Sequence, residues 1–344
     1  MDPVTQGVLG ATASQLVSTR REKVEAAFVG VISGMAADLD VLIKSATDPL
    51  LFLEYHRHFT HSLFFIPVGA LVCAILYIAI ARVLRKSNDY SRQRFNRIYV
   101  FSLAGYATHA LLDACTTYGT QLLWPFTNTR FAWNTVSVID PLFTLPLFII
   151  LAFSILRRSR SFAIFGALYV VSYLSLGMLQ NQRALSVAQD LAATRGHTPT
   201  QLGVKPSFAN ILVWKSVYIH NDEYYVDAVR AGLRPMVYQG TKTKRLVVSN
   251  QFPWLTQTSQ QSIDIERFRW FSNDHLGVDP NNPLRIIDVR YSVTPNRLDG
   301  MWGITLDPEG GDSDHVVFST SRPKGDQMRA EFDSLIQMIL GRPL

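Results

Sequence analysis

Three histidines fall within six positions in EYHRHFTHSLFF, residues 54–65, and a long apolar run begins directly after them. Imidazole is a common ligand for divalent ions, and carboxylates complete such shells. His56, His58 and His61 therefore raise the question of which carboxylates join them. In GYATHALLDACTTYGTQLLWPF, residues 105–126, His109 and Asp113 stand four apart. On a helix that spacing puts an imidazole and a carboxylate on one face, where both can grip one cation. In GMAADLDVLI, residues 34–43, Asp38 and Asp40 interrupt an apolar segment. On an ideal helix these two point in nearly opposite directions. Either the helix unwinds between Gly34 and Asp40, or only one of the pair is a direct ligand. Unwinding is the better reading, because a mid-helix Asp in lipid costs about 2.5–3.5 kcal/mol on insertion scales. Asp140, just before Pro141, reads either as a helix N-cap or as an outer member of the same set.

A mixed His/Asp shell suits Zn²⁺ first and Mn²⁺ second, and six candidate ligands leave room for one ion or two. The chemistry such a centre supports is activation of water against an ester or phosphoester. The first half of the chain contains no serine nucleophile elbow, phosphate-binding loop or GxGxxG, which removes the serine-hydrolase and nucleotide-loop readings. Two cysteines, Cys73 and Cys115, indicate neither a disulfide framework nor a thiolate metal site.

The elements that must position these residues are apolar. The 344-residue chain is 48% hydrophobic and only 17% charged, and nearly all the long apolar runs precede residue 182. The clearest covers residues 62–84; others cover 24–43, 98–113, 138–156 and 162–180, and a shorter one covers 4–17. These windows predict an α-helical integral membrane domain of about six membrane segments over residues 1–182. The start of the chain lacks the features of a cleaved signal peptide and is read as mature protein. Basic residues alternate between the connections. Arg20, Arg21, Lys23, Arg82, Arg85, Lys86, Arg92, Arg94, Arg97, Arg157, Arg158 and Arg160 fall in one set, against Lys44, Arg57 and Arg130 in the other. By the positive-inside rule the first set is cytoplasmic, so much of the net charge of +6 reports topology rather than nucleic-acid binding. The histidine loop, Asp38, Asp40, His109, Asp113 and Asp140 then converge on the opposite membrane face.

These residues resemble the YdjM-type family of membrane-bound, metal-dependent hydrolases of bacterial inner membranes. The family's marks read here as MDPVTQG, AADLD, HRHFTHSL and HALLDACTTYGTQLLWPF, in order, across about residues 1–145. The resemblance implies Asp38, Asp40, His56, His61, His109 and Asp113 as metal-binding positions, with Asp40, His61 and Arg57 nearest the chemistry. It implies a polar shell of Arg57, Thr60 and Ser62, with Thr117, Gly119 and Trp124 shaping the adjoining loop. Three positions depart from the family: Gln6 stands where many relatives have His, Ala37 replaces the Pro of Pro-Asp-x-Asp, and His58 replaces a Gly. Gln6, Thr117 and Asp140 are thereby expected in the outer shell. His58 is either a bystander or an extra ligand. The family implies an inner-membrane location and a reaction class, but no substrate.

From about residue 200 the pattern changes to short alternating runs such as KSVYIHNDEYYVDAV, LRIIDVRYSV and DHVVFST, separated by Asn, Gly and Pro. Residues 200–344 are expected to form a small, mainly-β extracytoplasmic domain, joined through a juxtamembrane helix at 183–199. A closing helix would carry Met328, Phe332, Leu335, Ile336 and Ile339 on one face. His220, His275 and His315 are scattered and read as ordinary histidines. The expected partners are membrane lipid and a small-molecule or lipid-linked substrate, with no nucleic acid. The competing reading is a divalent-cation transporter or scaffold without catalysis. Segments 62–84 and 162–180 offer little polarity beyond Ser and Tyr to carry an ion onward, which favours a one-sided site.

Overall fold

The computed structural model describes residues 1–85, 91–321 and 323–344, so Lys86 and its place in the basic connection lie outside the described residues. The chain divides into two units, Met1–Leu42 with Tyr55–Met178, and Ile43–Glu54 with Leu179–Leu344.

The first unit is helical. Asp2 caps α1 (Pro3–Val17), its carboxylate accepting from Thr5 N at 3.0 Å, and Pro3 opens the first turn. Helix α2 (Lys23–Met35) gives way after Met35 to a 3₁₀ segment, Ala36–Leu42, which is the unwinding that two opposed aspartates required. A single turn, α3 (Leu51–Tyr55), and a 3₁₀ turn, Phe59–His61, lead into α4 (Ile66–Arg85). Then follow α5 (Arg92–Ala114), α6 (Pro141–Leu156) and α7 (Arg160–Thr194).

Six membrane segments are not supported. Among the described residues, two helices are long and apolar enough to cross a bilayer: Ile66–Leu84 and Arg160–Thr194. Helix α6 is apolar, but its 16 residues rise only about 24 Å against a hydrocarbon core of about 30 Å. Helix α1 is shorter still and buries Thr5, Gln6, Thr12, Ser14 and Gln15. Helix α2 stops after 13 residues. Helix α5 has the length but carries Arg92, Arg94 and Arg97 in its first turns and His109 and Asp113 in its last. The apolar windows were real; in α1, α2 and α5 their small residues serve close packing between helices.

That packing depends on missing side chains. A Cβ added to Gly30 would lie 2.6 Å from Gly10 O and 2.7 Å from the Cα of Ala11, and one on Gly105 would lie 2.9 Å from Gly30 O. One on Gly34 would lie 2.6 Å from Gln6 O. Helices α1, α2 and α5 thus meet backbone to backbone through small residues, including a Gly-x-x-x-Gly pair at 30 and 34. Around them Val8, Ala27, Leu112, Phe143 and Leu147 form one core. Lys23, counted above as a topology signal, is in fact buried, and its Nζ donates to Gln15 O at 2.5 Å in the last turn of α1.

The second unit carries two antiparallel four-stranded sheets. One runs β1 (Gln201–Pro206), β2 (Val213–His220), β3 (Glu223–Arg230), β4 (Met236–Lys244) in order. After α8 (Val248–Gln251) and α9 (Gln260–Phe271), the other runs β5 (Leu276–Asp279), β6 (Asn282–Asp288), β7 (Trp302–Thr305), β8 (Val317–Thr320). Asn221 and Asp222, with φ of 49° and 56°, make the two-residue turn between β2 and β3. Val217, Ile219, Val226, Ile287 and Val289 bring residues of both sheets into one core. Helix α10 (Gly325–Leu340) packs Leu335 and Met338 against Val213, Ala228 and Tyr238, whereas Ile336, expected on its buried face, is exposed.

The backbone contacts at Gly30 generate a direct test. Gly30→Ala is expected to destabilise the protein by about 1–3 kcal/mol through overpacking, outweighing the helical preference for Ala. Gly203→Ala, where an added Cβ meets nothing within 4 Å, should be near neutral. Denaturant unfolding of both variants in detergent makes the comparison.

Candidate metal centre

Four ligand atoms come together at the ends of three elements. Asp38 lies in the 3₁₀ segment after α2, His61 ends the short 3₁₀ turn before α4, and His109 and Asp113 occupy successive turns of α5. One ligand atom from each lies within 4.8 Å of all the others. The Nε2 atoms of His61 and His109 are 2.9 Å apart. Asp113 Oδ2 is 3.2 Å from His61 Nε2 and 3.6 Å from His109 Nε2; Asp38 Oδ1 is 3.6 Å and 3.3 Å from the same two atoms. Ligands about 2.1 Å from a tetrahedral ion are separated by about 3.4 Å, which matches this spread.

The donor set fits a cation. His109 Nδ1 lies 2.6 Å from Gly34 O, an acceptor, so its proton belongs on Nδ1. His61 Nδ1 faces Asp40 Oδ2 at 3.2 Å and Thr60 Oγ1 at 3.0 Å. Both rings therefore turn an Nε2 lone pair toward the same point as two carboxylate oxygens. Asp113 Oδ2 is a buried oxygen to which no described protein group donates an aligned hydrogen bond, although Arg57 Nε lies 3.0 Å away. Two imidazole Nε2 atoms and two carboxylate oxygens converging on one point call for a positive charge at their centre, supplied by a proton on His61 or by a metal ion. Asp38, with 18% of its side chain exposed, is the member of the set that reaches solvent.

The surrounding shell has distinct jobs. Asp40 does not join the four. Its Oδ1 pairs with His56 Nδ1 at 2.8 Å, and its Oδ2 accepts from Arg57 N and Thr60 Oγ1, each at 2.9 Å. Asp40 thus orients His61 from behind, the usual arrangement of a carboxylate on a ligating imidazole. Arg57 holds a left-handed φ of 66°, uncommon for a side chain of this size, and its Nη1 donates to Thr116 Oγ1 at 2.9 Å. Gln6 Nε2 donates to Asp113 Oδ1 at 2.9 Å, and the Met1 amino group contacts the same oxygen. His58 turns away and packs on Trp124, with centroids 5.2 Å apart. Ser62 Oγ donates to Trp124 O, tying the two loops together. Thr117 is buried, and Gly119, with φ of 89°, lies against Arg130. Asp140 is the N-cap of α6, accepting from Leu142 N and Phe143 N and from Tyr173 OH.

Two contributors escaped the sequence reading. The Gly34 carbonyl fixes the tautomer of His109, and Tyr106 OH holds Thr60 O at 2.8 Å. The Gly-x-x-x-Gly at 30 and 34, with Gly105 to meet it, was the available signal for the first.

A family model described as YdjM inner membrane protein matches residues 1–184. The chain is similar to the uncharacterized protein YfhP of Bacillus subtilis (strain 168), at 26% identity over 41% of this chain and 42% of that protein. It is also similar to the inner membrane protein YbcI of Escherichia coli (strain K12), at 31% identity over 32% of this chain and 61% of that protein. The chain therefore spans less than two thirds of either relative. No solved structure matches it.

Burial opposes a charge on His61, but hydrogen bonds to the carboxylates of Asp113, Asp38 and Asp40 outweigh it and push its pKa up to about 10. A proton thus holds the centre together when no metal does, and the two compete. Metal uptake near neutral pH should release about one proton, and apparent affinity should rise about tenfold per pH unit until the pH nears the His61 value. Titration calorimetry in buffers of different ionisation enthalpy measures both; uptake that neither releases a proton nor strengthens with pH would remove His61 from the shell.

Proposed function

The chain belongs to the YdjM inner membrane protein family, and from that premise we propose that it is a metal-dependent hydrolase with Asp38, His61, His109 and Asp113 at its centre. The observation that carries this reading is the meeting of two imidazole Nε2 atoms, 2.9 Å apart, with two carboxylates. A divalent ion held there, zinc by its preference for such N/O sets, supplies Lewis acidity and an activated water for attack on an ester or phosphoester. His61, His109 and Asp113 form the buried grip. Asp38, partly exposed, is the member that would take a proton from the attacking group as general base. Arg57 keeps Asp113 ionised, and Asp40 with Thr60 holds the His61 ring in place. The apolar outer surface of α4, α6 and α7 favours a substrate drawn from the bilayer, such as a lipid-linked ester or phosphoester.

We infer the orientation from the two spanning helices alone. Arg82 and Arg85 lie at the end of Ile66–Leu84, and Arg157, Arg158 and Arg160 lie at the start of Arg160–Thr194. With both basic ends cytoplasmic, His61 and the segment after Thr194 face the outside. Asn250→Cys should then react with a membrane-impermeant maleimide added to intact spheroplasts, against a low background because Cys73 and Cys115 are both buried. Labelling only after lysis would reverse the orientation.

One observation favours a second reading, a centre that binds an ion without catalysis: four protein ligands already complete a tetrahedral zinc shell. Metal content by mass spectrometry, joined to an ester and phosphoester hydrolysis assay, separates the two. In both readings His61→Ala and Asp113→Asn lose most of the metal, while His58→Gly retains it. As general base, Asp38→Asn keeps the metal and loses roughly 10²–10⁴-fold in turnover. As a fourth structural ligand, it loses the metal as well.

A further inference from the structure

Residues 43–54 link the two ligand-bearing stretches, Asp38 and Asp40 before them and His56, Arg57 and His61 after them. This linker belongs to the second unit, where Arg267 anchors two of its carboxylates. Arg267 on α9 donates to both oxygens of Asp48, through Nη1 at 3.0 Å and Nη2 at 2.8 Å, and to Glu54 Oε1 through Nε at 2.5 Å. Its Nη1 also donates to Asp264 at 2.9 Å. Asp264 is itself buried, and its other oxygen is fixed by His315 Nδ1 at 2.8 Å and Val316 N at 3.2 Å. Phe52 adds an edge-on contact to Phe318, with centroids 5.1 Å apart. A single guanidinium therefore spends its whole planar fork on three carboxylates, two of them in the linker.

We propose that Arg267 is a positioning residue for the metal centre, acting through Asp48 and Glu54 on the segments that carry its ligands. The inference rests on the metal reading above. Its physical basis is chain geometry. Glu54 lies in the single helical turn α3, two residues before His56 and seven before His61. Where Glu54 is held, Arg57 follows in a backbone conformation already committed, with its N–H on Asp40. Released from Arg267, residues 43–49 lose their charged anchor, and each metal-binding event must then order them again. The β unit thus contributes to the metal centre without supplying a ligand, which gives this C-terminal half a role in the same chemistry.

Arg269 provides the control. It lies on the same helix, with ion pairs to Glu266 and Asp274, neither of which is in the linker. Zinc affinity of the purified full chain is measured by competition with a chromophoric chelator. Arg267→Ala is expected to bind zinc about tenfold more weakly, the lower end of what outer-shell changes cost, with Arg267→Lys intermediate and Arg269→Ala like the wild type. Should Arg267→Ala fail to fold, Asp48→Asn, which keeps the side chain's shape, carries the same expectation. Wild-type affinity in Arg267→Ala, or an equal loss in Arg269→Ala, would overturn the proposal and leave the metal reading standing. A wild-type chain that binds no zinc overturns the metal reading itself, and the coupling with it.

Discussion

Two imidazole nitrogens held 2.9 Å apart, each with its other nitrogen committed to an acceptor, repel one another unless a cation lies between them. Two carboxylates complete the set, and burial of all but Asp38 makes the charge balance strict. Much of the first unit can be read as the means of holding these four groups against that cost. Arg57 and the Met1 amino group stand by Asp113, Gln6 donates to it, and Asp40 draws on His56, Thr60 and the Arg57 backbone. Each is a charge or dipole aimed so that a carboxylate stays ionised away from water. An apolar replacement at any of these outer positions would leave a buried charge short of partners, which costs more than a simple contact.

Such a centre needs helices that approach closely, and that requirement explains the departure from six membrane segments. Glycines at 10, 30, 34 and 105 let α1, α2 and α5 touch through their backbones, so Gly34 O reaches His109 Nδ1 directly. Polar side chains of α1 that would be intolerable in lipid find partners within the bundle; Ser14 Oγ, for example, donates to Phe101 O at 2.8 Å. The long apolar helices, α4 and α7, keep their large side chains outward, with Leu76, Ile80, Phe165 and Val171 all exposed. Small residues where α1, α2 and α5 meet, with large apolar ones on the exposed faces of α4 and α7, suit a protein of the inner membrane.

Many of the arginines meet carboxylates. Arg97 makes a bidentate pair with Glu22, Arg94 pairs with Glu25, and Arg195, Arg245, Arg267, Arg285 and Arg290 each bind an aspartate in the second unit. Several of these pairs are largely shielded from solvent, where a guanidinium's fork and a carboxylate satisfy each other geometrically.

The residues of the candidate centre could be read from the amino-acid sequence. His61, His109, Asp113 and Asp38 were legible because ionisable groups in apolar segments are costly and because an i, i+4 pair shares a helix face. It also announced the break after α2, since two aspartates could not both face inward from a regular helix, and the change to strands near residue 200. Tertiary structure decided the rest. It separated His61 from His56 and His58, three neighbours of one type: a 3₁₀ turn and a left-handed Arg57 send the first to the centre, the second to Asp40 and the third to Trp124. It assigned Asp140 to a helix cap, buried Lys23 against α1, and left, among the described residues, two helices long and apolar enough to span a bilayer. The reason is the same each time. Composition and spacing state what a residue costs and which face it occupies, but which neighbour meets that cost is set by backbone approach between elements far apart in the chain, and that approach depends on glycines whose importance shows only when their surroundings are known.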